Sequence, residues 1–226
     1  TDRSKLNAMK FLNMLCMYSI ISKPMLLPLL SCRMVKLTLQ YGFCDDSIVG
    51  FATAGYSVFL FTEDIRLASH IGKVSESLVE ESPNKHALRS RLCKELVGTL
   101  NIFSKPCHSI VASFPELYNS AMMAGDVENA VICRWWYCGG SFWSGASNLL
   151  SLSKYYVQCI NEAAKYHQDT VFYLTMTAYN ALLYLSGTTN GDVDVKSYHE
   201  LDEIGERTNS PFLVYQIFMC RMSSHF

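Results

Sequence analysis

The sequence predicts an all-α protein in which antiparallel helix pairs stack on one another as a solenoid. Three observations predict it. Glycine and proline are scarce, 12 and 6 among 226 residues, which disfavours the turn-rich texture of a β-sandwich. Apolar residues recur at three- and four-residue spacing, and no stretch alternates apolar and polar long enough for a strand. The helix-length blocks are joined by very short connections, so each helix must return alongside its neighbour.

The first block, 2–21, ends at Ser22-Lys23-Pro24, where proline stops a helix. The second, 25–41, carries Pro28 in its first turn and meets Gly42, expected as a left-handed cap. Asp45-Asp46-Ser47 offers N-cap oxygens for a helix over 48–61. Glu63-Asp64 opens the next, to 81, with Ile65, Leu67, Ala68, Ile71, Val74, Ser75, Leu78 and Val79 at three- and four-residue spacing and Arg66, Lys73, Glu76 and Glu80 outward. Ser82-Pro83-Asn84 closes that helix and caps a fifth over 85–103. A sixth covers 107–124, with Pro115 as a kink or break. Gly125-Asp126 turns into a helix over 127–143, and Gly145 precedes one over 148–167. A ninth spans 169–185. The stretch 186–194 reads as a loop, followed by helices over 198–207 and 211–222. The domain plan is therefore a helical-repeat region over 1–188, a loop over 189–197, and the start of a further, truncated repeat over 198–226. Thr1 in place of methionine and the helix-like end at 222–226 make the chain read as a piece of a longer one.

Charge and cysteine usage narrow the function classes. Nineteen Lys and Arg against 20 Asp and Glu leave a net charge of -1, which argues against a nucleic-acid partner. The nine cysteines, at 16, 32, 44, 93, 107, 133, 138, 159 and 220, form no CxxC pair and suit a reduced, cytoplasmic protein. The apolar stretch 11–21 is short, contains Asn13 and lacks a cleavage site, so it is not a signal peptide. Two uncharged stretches, 135–153 and 170–191, have bilayer-like length but carry Ser141, Ser144, Asn148, Thr175 and Asn180, and no membrane partner is expected.

The chemistry-bearing motifs lead to no catalytic, cofactor or metal site. Walker and GxGxxG loops are missing, and the glycine-rich run Gly139-Gly140-Ser141-Phe142-Trp143-Ser144-Gly145 has neither the lysine nor the preceding strand a phosphate cradle needs. It reads as a helix bend or a close helix crossing. There is no GxSxG elbow. Cys107-His108 are neighbours, but adjacent helical residues point different ways. The six histidines lack HxxxH, HxH or HExxH spacing. His199 with Glu200, Asp202 and Glu203 reads as a solvated face, and Asp45-Asp46 as a cap rather than a metal pair.

Two junctions resemble each other: Thr62-Glu63-Asp64 leading to Ala68, and Ala124-Gly125-Asp126 leading to Ala130. In each, an aspartate expected to cap a helix stands four residues before an alanine expected at a helix crossing. This is the texture of tetratricopeptide (TPR) repeats, although the spacing from 64 to 126 is not twice the usual ~34-residue period. More specifically, residues 24–188 resemble the TPR-like region of large signalling proteins that join a kinase-like region, an AAA/STAND-type ATPase and a sensor or output domain, often a histidine kinase. The resemblance rests on Leu37-Thr38-Leu39-Gln40-Tyr41-Gly42, on Phe61-Thr62-Glu63-Asp64 with Ala68 and Gly72-Lys73, and on Glu116-Leu117-Tyr118 with Ala124-Gly125-Asp126 and Ala130. Ser144-Gly145 and Tyr179-Asn180-Ala181-Leu182-Leu183 extend it. It departs at Trp135-Trp136, at Gly139-Gly140 and at Ala146-Ser147, where the family carries Pro-Leu. It implies a regulatory, protein-contacting role and transfers no catalytic residue.

The aromatic cluster Trp135, Trp136, Tyr137, Phe142 and Trp143 is the most unusual feature. Its rings can fill a wide gap between helices or anchor a partner. Consecutive tryptophans point about 100° apart on a helix, so both cannot face the core fully. Arg134, Trp135, Trp136 and Trp143 are the candidate protein-contact residues; Asp64, Ala68, Gly125, Asp126 and Ala130 are the candidate repeat-turn residues. The expected function is a non-catalytic scaffold mediating protein contacts. The alternatives are an α-helical enzyme with an aromatic-lined pocket and a polytopic membrane protein.

Overall fold

The computed structural model describes residues 3–187, 198–208 and 211–224, and among them every regular element is helical. The α-helices are α1 (Arg3–Ser22), α2 (Leu27–Tyr41), α3 (Asp45–Thr62), α4 (Ile65–Glu81), α5 (Lys85–Arg91), α6 (Cys107–Met123), α7 (Val127–Ser144), α8 (Leu149–Lys165), α9 (Asp169–Leu185), α10 (Tyr198–Thr208) and α11 (Pro211–Ser224). The expected loop over 189–197 lies outside the described residues. The chain divides into two compact units, Thr1–Ile110 and Val111–Phe226.

In the first unit α1, α2, α3 and α4 pack in sequence, each against the next along the chain, save that α1 also touches α3. Met9, Cys16, Leu27, Met34 and Leu37 form a core between α1 and α2. Ile48, Val49, Ala52, Ala68 and Val79 form the next, between α3 and α4. Glycines set how closely these helices approach. A Cβ on Gly50 would stand 2.8 Å from the Cβ of Met34 on α2. One on Gly55 would meet Ile71 of α4 and Leu100, both at 3.1 Å.

The fifth block is where the structure departs most from the sequence reading. In place of one helix over 85–103 it holds α5, a π-helical turn over Cys93–Val97 and a 3-10 turn over Leu100–Phe103. The reason is visible in the leucines. Leu88, Leu92, Leu96 and Leu100 are all buried in one core, yet they stand four residues apart. At 3.6 residues per turn, three such steps drift about 120° around a helix. A wider π-turn takes up part of that drift and keeps the row on one side.

In the second unit α7 packs on α8, α8 on α9, and α9 on α11, which also pairs with α10. The largest core joins Val131, Leu152, Tyr156, Ile160, Met176 and Tyr179. A smaller one joins Leu174, Leu201, Ile204 and Ile217. Helix α6 runs through Pro115 without a break, and that residue is exposed. The adjacent glycines of α7 differ in kind: a Cβ on Gly140 would stand 2.8 Å from Cγ2 of Val111 on α6, whereas one on Gly139 meets nothing.

The turns explain the pairing. Asp64 accepts from the Leu67 N–H at 2.9 Å and Asp126 from the Asn129 N–H at 3.3 Å, while Ala68 and Ala130 are fully buried. Glu63 and Gly125, immediately before these aspartates, are both left-handed, at φ 55 and 72. A third junction has the same backbone without the same residues: His167 is left-handed at φ 54, and Gln168 stands where the aspartates stand. At Gly125, Gly145 and His167 the chain closes the preceding helix with paired backbone bonds, such as Asp126 N–H to Ala121 O at 2.9 Å and Gln168 N–H to Ala163 O at 2.8 Å.

Two other caps differ from expectation. Helix α3 starts at Asp45, three residues early, and its N-cap is Cys44, whose N–H donates to Ser47 Oγ at 3.0 Å. Asp45 and Asp46 then sit in the first turn, where their charge favours the helix dipole. Asp45 instead accepts from Asn84 Nδ2 at 2.8 Å, so Asn84 latches α3 and does not cap α5. Gly42 has φ 97 but ψ 173, an extended glycine conformation and not the left-handed cap.

Gly139→Ala should raise the unfolding free energy by about 0.5–1 kcal/mol, through helix propensity alone. Gly140→Ala should lower it by about 1–3 kcal/mol by overpacking against Val111; urea denaturation of the two variants side by side measures both. His167→Gly should be stabilising, by about 0.5–1 kcal/mol, because it relieves a left-handed non-glycine residue. A loss on that substitution would mean the imidazole makes a contact that outweighs its backbone.

Candidate functional site

Helix α7 carries all four candidate contact residues, and its position between α6 and α8 sorts them. Arg134, expected as a polar companion on the surface, is drawn inward. Its Nε lies 2.9 Å from Glu162 Oε2 of α8, its Nη1 donates to Gln158 Oε1 at 3.1 Å, and its guanidinium sits 4.2 Å from the Tyr118 ring centroid of α6. Tyr118 Oη donates to Glu162 Oε1 at 3.1 Å, closing the ring. The Arg134 Nε–H does not point along the line to Glu162 Oε2, so that contact is an ion pair without a hydrogen bond. Burial raises the Tyr118 phenol above its ordinary range, while Arg134 opposes the shift. The arrangement ties three helices by one cation, although Arg134 Nε and Glu162 Oε2 are left without a hydrogen bond.

The tryptophans separate by depth. Trp135 packs against both apolar cores of the second unit. Trp136 stacks on Phe114 of α6, with ring centroids 6.2 Å apart and planes 8° off parallel. The two indoles meet edge to face at 5.0 Å, and both are half-buried. Trp136 keeps one mark of incompleteness: its Nε1–H is buried and has no acceptor. Trp143, in the last turn of α7, is 57% exposed and meets the Phe142 ring edge to face at 5.1 Å. Leu150 and Tyr155 of α8 are exposed as well, and Tyr155 lies 5.3 Å from Tyr137 of α7. Exposed apolar and aromatic side chains thus stand at the end of α7 and along the first half of α8.

Beneath them lies a buried thiol and hydroxyl cluster that spacing did not suggest. Cys138 and Cys159 share the core with Tyr156 and Tyr179, whose rings stack at 6.2 Å. Cys159 Sγ lies 3.6 Å from Thr175 Oγ1. The hydrogen bond with Cys159, then burial, push the Cys138 thiol well up; burial does the same to the Tyr156 phenol. Such thiols are poor nucleophiles. Cys107 and His108 are both exposed at the start of α6.

The first unit contains one acid in an unusual place. Glu95, on the π-turn, is 2% exposed, and its Oε2 has no hydrogen-bond partner. Burial pushes Cys16 of α1 and Tyr56 of α3 each up to about 12, with the nearby charge of Glu95 adding to it. By contrast, Asp46 is buried with compensation from Arg91 at 2.7 Å and Asn13 at 3.1 Å. Among the described residues no group of three His, Cys, Asp or Glu side chains is placed to hold a metal ion. His199 and Glu203 form an exposed pair one helical turn apart.

Among the described residues no helix is long and apolar enough to cross a membrane. The stretch 135–153 is interrupted by the turn at Gly145, and α9 ends at Leu185 within 170–191. No protein-family model matches the chain, and comparison with curated proteins and with solved structures yields no similar protein.

The buried groups of the first unit predict its alkaline behaviour. The folded values of Cys16 and Tyr56 lie above their ordinary 9.0 and 10.0, so their stabilising contribution is complete below pH 9. It should be lost progressively as pH rises through about 12. In the Glu95→Gln variant, the Tyr56 titration followed by phenolate absorbance should move down yet stay above 10.0, because burial is the larger cause. No movement would place the Glu95 charge out of reach of Tyr56.

Proposed function

We propose that the chain is a non-catalytic helical-repeat scaffold of TPR-like type, whose α7–α8 pair docks another protein or a neighbouring domain. In this reading it works as the regulatory helical region of AAA/STAND-type ATPase and kinase signalling proteins does, in a reduced, cytoplasmic setting that suits nine cysteines. Helix pairs that pack mainly on their chain neighbours, joined by left-handed reversals at 63, 125 and 167, support a stacked arrangement.

The observation that carries the docking role is the exposure of Trp143. A free indole at 57% exposure forgoes burial that a partner surface would supply, and tryptophan is among the side chains that contribute most at interfaces. Phe142 packs edge to face against it, and Arg134 locks α7 between α6 and α8 so that the helix that carries it is rigid. Rigidity matters because a preorganised surface loses less entropy when it binds.

A photo-crosslinking residue, p-benzoylphenylalanine, placed at position 143 and, as a control, at the exposed Glu116, tests this in the cell of origin. A discrete protein adduct should form from position 143 and be missing from position 116. Identical patterns from both positions, or no protein adduct from 143, would sink the docking role.

A further inference from the structure

Charge is distributed unevenly along this nearly neutral chain. Residues 3–43 contain Arg3, Lys5, Lys10, Lys23, Arg33 and Lys36, and none of the 20 acidic residues. The whole stretch forms α1, α2 and their connection, the outermost layer of the first unit on α3. Its exposed faces are not ordinary polar surface. On α1 the exposed residues Arg3, Asn7, Lys10, Phe11, Met14 and Tyr18 follow one stripe at three- and four-residue spacing. On α2 Leu29, Arg33, Lys36 and Leu39 do the same, and Met25 is exposed just before it. Leu29 and Leu39 are 69% and 78% exposed. Both helices lie on α3, so both stripes face away from it. Lys5 spans their ends, with Nζ 4.8 Å from the ring centroid of Tyr41.

We propose that the α1–α2 face is a peripheral docking surface for an anionic lipid bilayer, with Phe11, Met14, Leu29 and Leu39 entering the interface and Lys10, Arg33 and Lys36 meeting the headgroup phosphates. Charge complementarity selects this occupant. A second copy of the same face would bring its own cations against these and be repelled. A nucleic acid would satisfy the cations, but it would dehydrate methionine and leucine side chains that offer nothing to phosphate or base edges. A protein partner needs an apolar surface of matching contour fringed with carboxylates. A bilayer interface needs no such match, since each apolar side chain inserts by itself while the cations beside it stay at headgroup level. The absence of any acid over 41 consecutive positions removes the repulsion that an anionic surface would otherwise impose. A helix pair that lies on a membrane surface needs no bilayer-spanning stretch, and it is independent of the docking role given to α7–α8.

Co-sedimentation of the 226-residue chain with vesicles of phosphatidylcholine, with and without phosphatidylserine, tests it. The chain should partition to the anionic vesicles at least tenfold more strongly than to neutral ones, and lose most of that preference in roughly 1 M salt, where the screening length falls to about 3 Å. Each cation neutralised should weaken binding about fivefold, so Lys10→Gln/Arg33→Gln/Lys36→Gln should lose about a hundredfold. Phe11→Ala/Leu29→Ala should weaken it several-fold at unchanged charge. All five positions are exposed, and unchanged thermal melts of both variants check that the fold survives. Lack of partition to anionic vesicles at low salt overturns the proposal. So does binding that the triple glutamine variant leaves intact, or a single-stranded RNA that binds more tightly than the vesicles.

Discussion

Reversing the chain within two to four residues, without leaving the ends of both helices unsatisfied, is the constraint on which this fold depends. Every helix end leaves four carbonyls or four amides without intrahelical partners. At 125, 145 and 167 one left-handed residue turns the backbone so that its own N–H and the next reach back to those carbonyls. At 64, 126 and 148 a side-chain oxygen meets an amide of the next helix. The turn then holds the two helices close enough for Ala68 and Ala130 to vanish from the surface. Close approach, sequential packing and the successive small cores all follow from turns that leave no slack.

This also explains which parts of the fold were legible in the sequence. Asp64, Gly125, Asp126 and Gly145 announce their turns because their side chains, or the lack of one, do the local work. The junction at His167-Gln168 has the same backbone but is silent: a left-handed histidine is tolerated only because the helices on either side impose it, and no side chain advertises that. The break in the fifth block is written in Leu88, Leu92, Leu96 and Leu100, whose unbroken spacing of four drifts off one face of a straight α-helix. Periodicity read as three-or-four hides the difference, and only the fixed core beneath makes it matter.

The candidate site was legible in composition and not in orientation. Arg134 looks like a surface partner for tryptophan when only its chain neighbours are known. Its actual partners are 16 positions earlier, at Tyr118, and 24 and 28 later, at Gln158 and Glu162, on helices that only folding brings together. The tryptophans divide by a simpler rule. Positions 135 and 136 fall mid-helix, where Trp135 packs against both cores and Trp136 stacks on Phe114, whereas 143 falls in the last turn and is mostly exposed. The adjacent glycines carry the same lesson: a side chain on Gly140 would strike α6 and one on Gly139 would meet nothing, although nothing in the sequence separates them.

Buried polarity shows a second division. Asp46 is paired with Arg91 and Asn13, and Arg134 with Glu162, and in both places the charges tie helices that are distant in sequence. Burying such pairs contributes little net stability over apolar packing, so their value lies in fixing which helices meet. Glu95 leaves its Oε2 without a hydrogen bond among the described residues, yet it occupies the one π-turn among them, where the backbone is displaced from regular helical geometry. Because the leucine row alone accounts for that turn, the carboxyl is carried into the core by the geometry that keeps Leu96 and Leu100 buried. Its burial is a consequence of the helix path, and its charge adds to the effect of burial in holding the Cys16 thiol and the Tyr56 phenol in their protonated forms.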